Sequence, residues 1–155
     1  MKHLSIKPFT IILAVFVLLT VFAAPTQVRA GGSPIVSSVT SATADGAYKA
    51  GDTIQIEILF DQVVNVTGTP RLLLETGTID RYVNYTGGST TDTLTFDYVV
   101  QAGDASADLD YAATNSLDLN GGTIKDSADA NDATLALPTS GDAGSLGGSS
   151  AIIID

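Results

Sequence analysis

Thr53-Ile-Gln-Ile-Glu-Ile-Leu-Phe60 decides how the rest of the chain is read. Ile54, Ile56, Ile58 and Phe60 recur at every second position, with Gln55 and Glu57 between them. Side chains of an extended strand alternate between two faces, so this spacing predicts a half-buried strand and excludes an amphipathic helix. Thr93-Leu-Thr-Phe-Asp-Tyr-Val-Val100 repeats the pattern, with Leu94, Phe96, Tyr98 and Val100 turned in and Thr95 and Asp97 turned out. Shorter runs at 35–39, 63–66, 71–75, 81–85, 109–111, 117–119 and 151–154 read as further strands. Turn-forming clusters separate them: Thr67-Gly-Thr-Pro70, Thr86-Gly-Gly-Ser89 and Asn120-Gly-Gly122. The polar stretch 41–51, with Asp45-Gly46 and Gly51-Asp52, reads as a loop. No segment after residue 30 carries a 3.6-residue period. Short strands at this spacing predict an all-β chain, an antiparallel β-sandwich with Greek-key connections.

The N-terminus is written in different chemistry. Lys2 and Lys7 precede an apolar run from Phe9 to Ala24, and Val28-Arg29-Ala30 follows it. A basic start, an apolar centre and a small-residue end predict an export signal over 1–30, cleaved after Ala30. A spanning helix needs about 20 apolar residues, more than this run supplies. Residues 31–33 read as a flexible lead-in and 34–155 as one module. The predicted location is secreted or cell-surface, with membrane contact only during export.

Beyond residue 30 the chain has four bases (Lys49, Arg71, Arg81 and Lys125) against seventeen acids, a net charge of −13. Such a surface repels nucleic acid and anionic lipid. Cysteine is absent and the one histidine, His3, lies in the leader. Ser-His-Asp and Cys-His catalytic arrangements, and the usual N/S zinc sites, are therefore excluded from the exported part. No phosphate-cradling Gly-Lys-Ser/Thr loop occurs. Carboxylate pairs are too numerous for any one pair to mark a glycosidase. The sequence reads as non-enzymatic.

Calcium is the one cofactor that the composition suggests, because it takes about 6–8 oxygen ligands, largely carboxylates and carbonyls. Asp108 and Asp110 flank Leu109 and would share one face of an extended strand, with Leu109 and Tyr111 turned inward. Asp104 in the preceding turn would converge on them, and Asp126, Asp129 and Asp132 form a second, weaker set. Against this, aspartate is a common turn residue because it bonds nearby backbone. Residues 126–132 also lack the glycine and final glutamate of an EF-hand loop. Tyr82, Tyr85, Tyr98 and Tyr111 suit sheet and core-edge positions, and a carbohydrate-stacking role for one of them would call for a clustered, exposed aromatic surface. Asn65-Val-Thr67 and Asn84-Tyr-Thr86 match the N-glycosylation sequon, a short pattern of low specificity.

Several words in order resemble one family. They include Val36-Ser-Ser-Val-Thr-Ser-Ala-Thr-Ala-Asp-Gly46, Tyr48-Lys-Ala-Gly-Asp-Thr-Ile54, Val66-Thr-Gly-Thr-Pro70 and Leu73-Leu-Glu-Thr-Gly77. Val100-Gln-Ala-Gly-Asp-Ala-Ser-Ala-Asp-Leu-Asp-Tyr111, Leu119-Asn-Gly-Gly-Thr-Ile-Lys-Asp126 and Ala151-Ile-Ile-Ile-Asp155 continue the series. Together they resemble the immunoglobulin-like or cadherin-like module carried in tandem by large bacterial adhesin-type surface proteins. The resemblance implies a non-enzymatic spacer or weak binder, with neighbouring repeats or other extracellular components as partners. It also implies a further repeat beyond Asp155, although only one copy is present here. The rival reading is a stand-alone secreted domain that binds carbohydrate or another ligand, stabilised by calcium. A cluster of exposed tyrosines would favour that rival.

Overall fold

The computed structural model of the protein describes residues 31–155, so the export signal expected over 1–30 lies outside the described residues. The fold is all-β. Its main sheet is antiparallel and has eight strands: β1 (Val36–Ser41), β3 (Thr53–Thr67), β4 (Arg71–Glu75), β5 (Arg81–Gly87), β6 (Thr91–Val99), β7 (Asp110–Tyr111), β8 (Leu117–Asp118) and β9 (Thr123–Asp126). The order is β1-β3-β6-β5-β4-β7, with β9 also on β3 and β8 also on β4. A separate parallel ribbon joins β2 (Gly46–Tyr48) to β10 (Ile152–Ile154). The sheet curls so that Ile56 and Ile58 of β3, Phe96 of β6, Leu72 of β4 and Ile152 of β10 share one core. The hydrogen-bonded path runs unbroken through β5, which pairs with β6 at one end and β4 at the other.

The alternation at 53–60 is realised in full. Ile54, Ile56, Ile58 and Phe60 are buried, while Gln55 and Glu57 are half-exposed. The runs at 53–60 and 63–66 are one strand rather than two, since no glycine or proline interrupts them. A bulge marks the join: between Leu59↔Thr93 and Val64↔Thr91, β3 advances five residues while β6 advances two. Extra residues in one strand bend it. Here the bend lets β3 leave β1, which it pairs with at Ile56–Phe60, and take up β9 at Val64–Thr67.

Three elements differ from the sequence-based reading. The loop expected over 41–51 contains β2, because β10 supplies a partner some hundred residues away. β9 is a strand through the edge that β3 offers it. Leu146–Ser149 forms one helical turn, capped by Ser145, whose Oγ accepts the Gly148 N–H at 3.1 Å. Leu-Gly-Gly-Ser is a poor helix sequence. The turn is held by burial of Leu146, and a side chain at Gly148 would start 1.9 Å from the Asp142 carbonyl oxygen. The 31–33 lead-in is tied down as well. The Gly31 N–H donates to Asp129, and the Gly31 and Gly32 carbonyls accept from Asn131 and Gln62.

Candidate functional site

The six acids singled out as calcium ligands do not form one constellation. Asp104 is buried and used up. Its Oδ1 accepts from Arg81 Nε at 2.8 Å, and its Oδ2 accepts from Tyr98 Oη at 2.7 Å and from the Gln101 N–H at 3.0 Å. Burial alone would raise its pKa. The hydrogen bonds from Tyr98, Arg81 and Gln101, with the Arg81 charge, outweigh burial and hold the carboxyl below the ordinary carboxylate value. Tyr98 moves the other way, because burial and then Asp104 push its hydroxyl well above the usual tyrosine range.

Asp108 and Asp110 do not share a solvent face. Asp108 is exposed, but Asp110 is buried with Leu109 and Tyr111. Asp110 Oδ1 accepts the Tyr111 N–H, and its Oδ2 accepts from Ser140 Oγ at 2.8 Å and the Gly141 N–H at 3.0 Å. The strand is only two residues long, and the 138–142 turn folds over it, so alternation does not continue. The two carboxylates still approach one spot, since a Cβ on Gly147 would lie 3.1 Å from Asp110 Oδ2 and 3.5 Å from Asp108 Oδ2. The second set is dispersed: Asp126 Oδ1 accepts the Ala128 and Asp129 N–H groups, Asp129 accepts from Gly31, and Asp132 pairs with Lys125. Among the described residues, no three His, Cys, Asp or Glu side chains come together to hold a metal ion. Asp104, Asp110, Asp126 and Asp129 instead accept backbone N–H groups, the use that favours Asp in turns.

A groove that the sequence did not single out opens beside Asp104. β5 pairs with β6 at Tyr85↔Phe96 and Gly87↔Thr95, then turns to pair with β4 from Arg71↔Asn84 to Leu74↔Arg81. The strands part there and leave a cavity of about 230 Å³ between Arg81, Tyr82, Asn84, Asp97, Val99 and Gln101, with Tyr98 in its wall. Tyr82 and Val99 are 51% and 52% exposed. The Arg71 guanidinium lies 4.0 Å from the Tyr82 ring centroid, within cation–π range, and is itself held by Asp118 at 2.8 Å. Asp118 sits below its ordinary pKa, first through the Asn120 N–H it accepts and then through Arg71. The sequence did hold a signal: Val99 is an apolar residue at an outward position of an alternating strand. Its neighbour across the opening, Tyr82, is set by the path of β5, which local pattern does not reveal.

No protein-family model, curated protein or solved structure matches the chain.

Proposed function

We propose that residues 34–155 form a non-enzymatic extracellular module of immunoglobulin-like or cadherin-like sandwich type. It serves as a spacer between neighbouring modules or other cell-surface components. One observation carries this reading: the chain enters and leaves at opposite ends of β3's first half. The Ile35 N–H donates to Asp61 Oδ1 at 2.9 Å, and the Asp61 N–H donates to the Ile35 carbonyl at 3.0 Å. At the far end the Asp155 N–H donates to the Tyr48 carbonyl at 3.0 Å, and Lys49 and Asp52 close the turn into Thr53. From Thr53 to Asp61 the strand takes eight steps, about 27 Å at ~3.4 Å per residue. Tension applied between the ends would slide β2 and β10 along each other, loading their bonds together. The leader over 1–30 supports an extracellular place for such a body.

The test is small-angle scattering on two, three and four copies of residues 31–155 in series. A spacer adds a nearly constant increment to the maximum dimension with each copy. Growth only as the cube root of copy number, as for copies folded back on one another, would overturn the reading. Export is tested by N-terminal sequencing of secreted material, which should begin at Gly31. Recovery of intact Met1 in a membrane fraction would make the leader an anchor.

A further inference from the structure

We propose that the groove where β5 parts from β6 binds one pyranose ring of a neutral saccharide. The proposal rests on the groove's own geometry and not on the spacer reading.

Size comes first. The cavity holds about 230 Å³, below the ~300–1,000 Å³ of pockets that enclose drug-sized ligands. It suits a single ring, with the rest of an oligosaccharide lying outside. Its surface chemistry is divided as a sugar's is. Six large hydrophobic side chains are exposed among the described residues (Ile35, Val63, Ile79, Tyr82, Val99 and Ile153), and two of the six, Tyr82 and Val99, line this one groove. A pyranose presents a face of C–H groups to such a surface and keeps its hydroxyls at the edge.

The edge is supplied by Asn84, Asp97 and Gln101. The Asn84 and Gln101 amides carry donors and acceptors, as a hydroxyl requires, since it both gives and takes a hydrogen bond. Asp97 Oδ1 accepts from Gln55 Nε2 at 3.0 Å, which fixes the carboxylate, and Oδ2 has no partner among the described residues.

Charge selects against an anionic ligand. Arg81 and Arg71 stand beside the groove, but Arg81 is engaged by buried Asp104 and Arg71 by Asp118. An incoming carboxylate or phosphate would find both guanidinium groups already paired and would face Asp97. A neutral sugar meets no such penalty. Stacked on Arg71, Tyr82 is also held before the ligand arrives, which lowers the ordering cost of binding.

The experiment is amide NMR titration of the exported protein with glucose, cellohexaose, maltohexaose and chitohexaose, with polygalacturonate as the anionic arm. At least one neutral saccharide should shift the amides of Tyr82, Asn84, Asp97 and Val99. Response to the hexamers alone identifies the ligand as a residue of a polysaccharide, and response to glucose as well identifies a free sugar. Tyr82→Ala should weaken binding about tenfold, a loss of ~1.4 kcal/mol, at unchanged melting temperature. Tyr82→Phe should keep the affinity, since it keeps the ring. Absence of shifts at the groove with every neutral saccharide, tighter binding of polygalacturonate, or full affinity in Tyr82→Ala would each overturn the proposal.

Discussion

The β3–β6 ladder and the C-terminal third of the chain are stabilised by opposite means. From Thr53↔Val99 to Leu59↔Thr93 the two strands pair residue for residue, and apolar side chains on one face do the work. From residue 101 onward the strands are two to four residues long, and carboxylates hold the turns between them. Asp104 ties the 101–104 turn to Tyr98 and Arg81, Asp110 ties the 140–141 turn to β7, and Asp126 closes the 126–129 turn. Where a chain cannot build long ladders, its backbone donors still need acceptors, and Asp reaches them at short range. The acids that read as a metal site are in large part the fasteners of this region.

The sharpest break of the contrast is in the ladder. Ile56→Asp should abolish folding, because an isolated buried carboxylate costs several kcal/mol against a total stability of about 5–15 kcal/mol. Gln55→Asp, one residue away, should leave the fold intact. It faces Asp97 across the ladder, so a like-charge cost of roughly 0.2–1 kcal/mol is expected. Circular-dichroism melts of the two variants decide the matter, and equal stability would refute the strand facing.

The next effect lies at the junction of the two regions. Arg81→Met leaves Asp104 buried with its charge uncompensated. It should cost about 3 kcal/mol, the low end for a broken buried pair because Arg81 is partly exposed. The pH dependence carries a defined sign. Asp104 has a folded pKa below its unfolded one, so its contribution is complete above the unfolded value of about 4 and is lost as pH falls through the folded value. Urea titrations from neutral pH into acid should therefore show wild-type stability dropping there, with a shallower drop in Asp104→Asn. Parallel acid limbs for the two proteins would show that other carboxylates govern acid unfolding.

Within the C-terminal third, Asp126→Ala and Asp110→Ala should each cost about 1–3 kcal/mol, since the first leaves the Ala128 and Asp129 N–H groups and the second the buried Tyr111 N–H without that acceptor. Asp108→Ala should change stability by no more than about 0.5 kcal/mol, the usual range for an exposed position. Equal losses for Asp108 and Asp110 in denaturant midpoints would remove the distinction drawn between fastener and surface charge.

A further effect lies in the hairpin that leads into β6. Thr90, in the β5–β6 hairpin, has φ of +69°, a left-handed conformation that β-branched residues avoid. Thr90→Asn should stabilise by about 0.5–1 kcal/mol, a fraction of the left-handed cost that Asn partly escapes. Gly88→Ala in the same hairpin should destabilise, because its Cβ would fall 2.0 Å from the Thr93 carbonyl oxygen. A melting temperature unchanged in both variants would mean that the hairpin contributes nothing to the cooperative unit.

What could be read from residues alone follows from the range of each interaction. Strand period, inward face and turn position depend on neighbours within a few residues. Ile54 to Phe60, Leu94 to Val100, Arg71 to Glu75 and the Asn120-Gly121 turn were therefore legible, the last realised with positive φ at both residues. Leu109 and Tyr111 were legible as core for the same reason, whereas the fate of Asp110 depended on a turn thirty residues later. β2 needed β10, β9 needed the bent half of β3, and the helical turn at Leu146 needed the core beneath it. The groove needed β5 to change partners from β6 to β4. Sequence determined the long alternating strands, their inward faces and the glycine-bearing turns, because alternation and turn chemistry act locally. Tertiary structure alone decided which edges met, which aspartates found backbone donors and where the sheet opened, because those outcomes depend on groups brought together only by the closed chain.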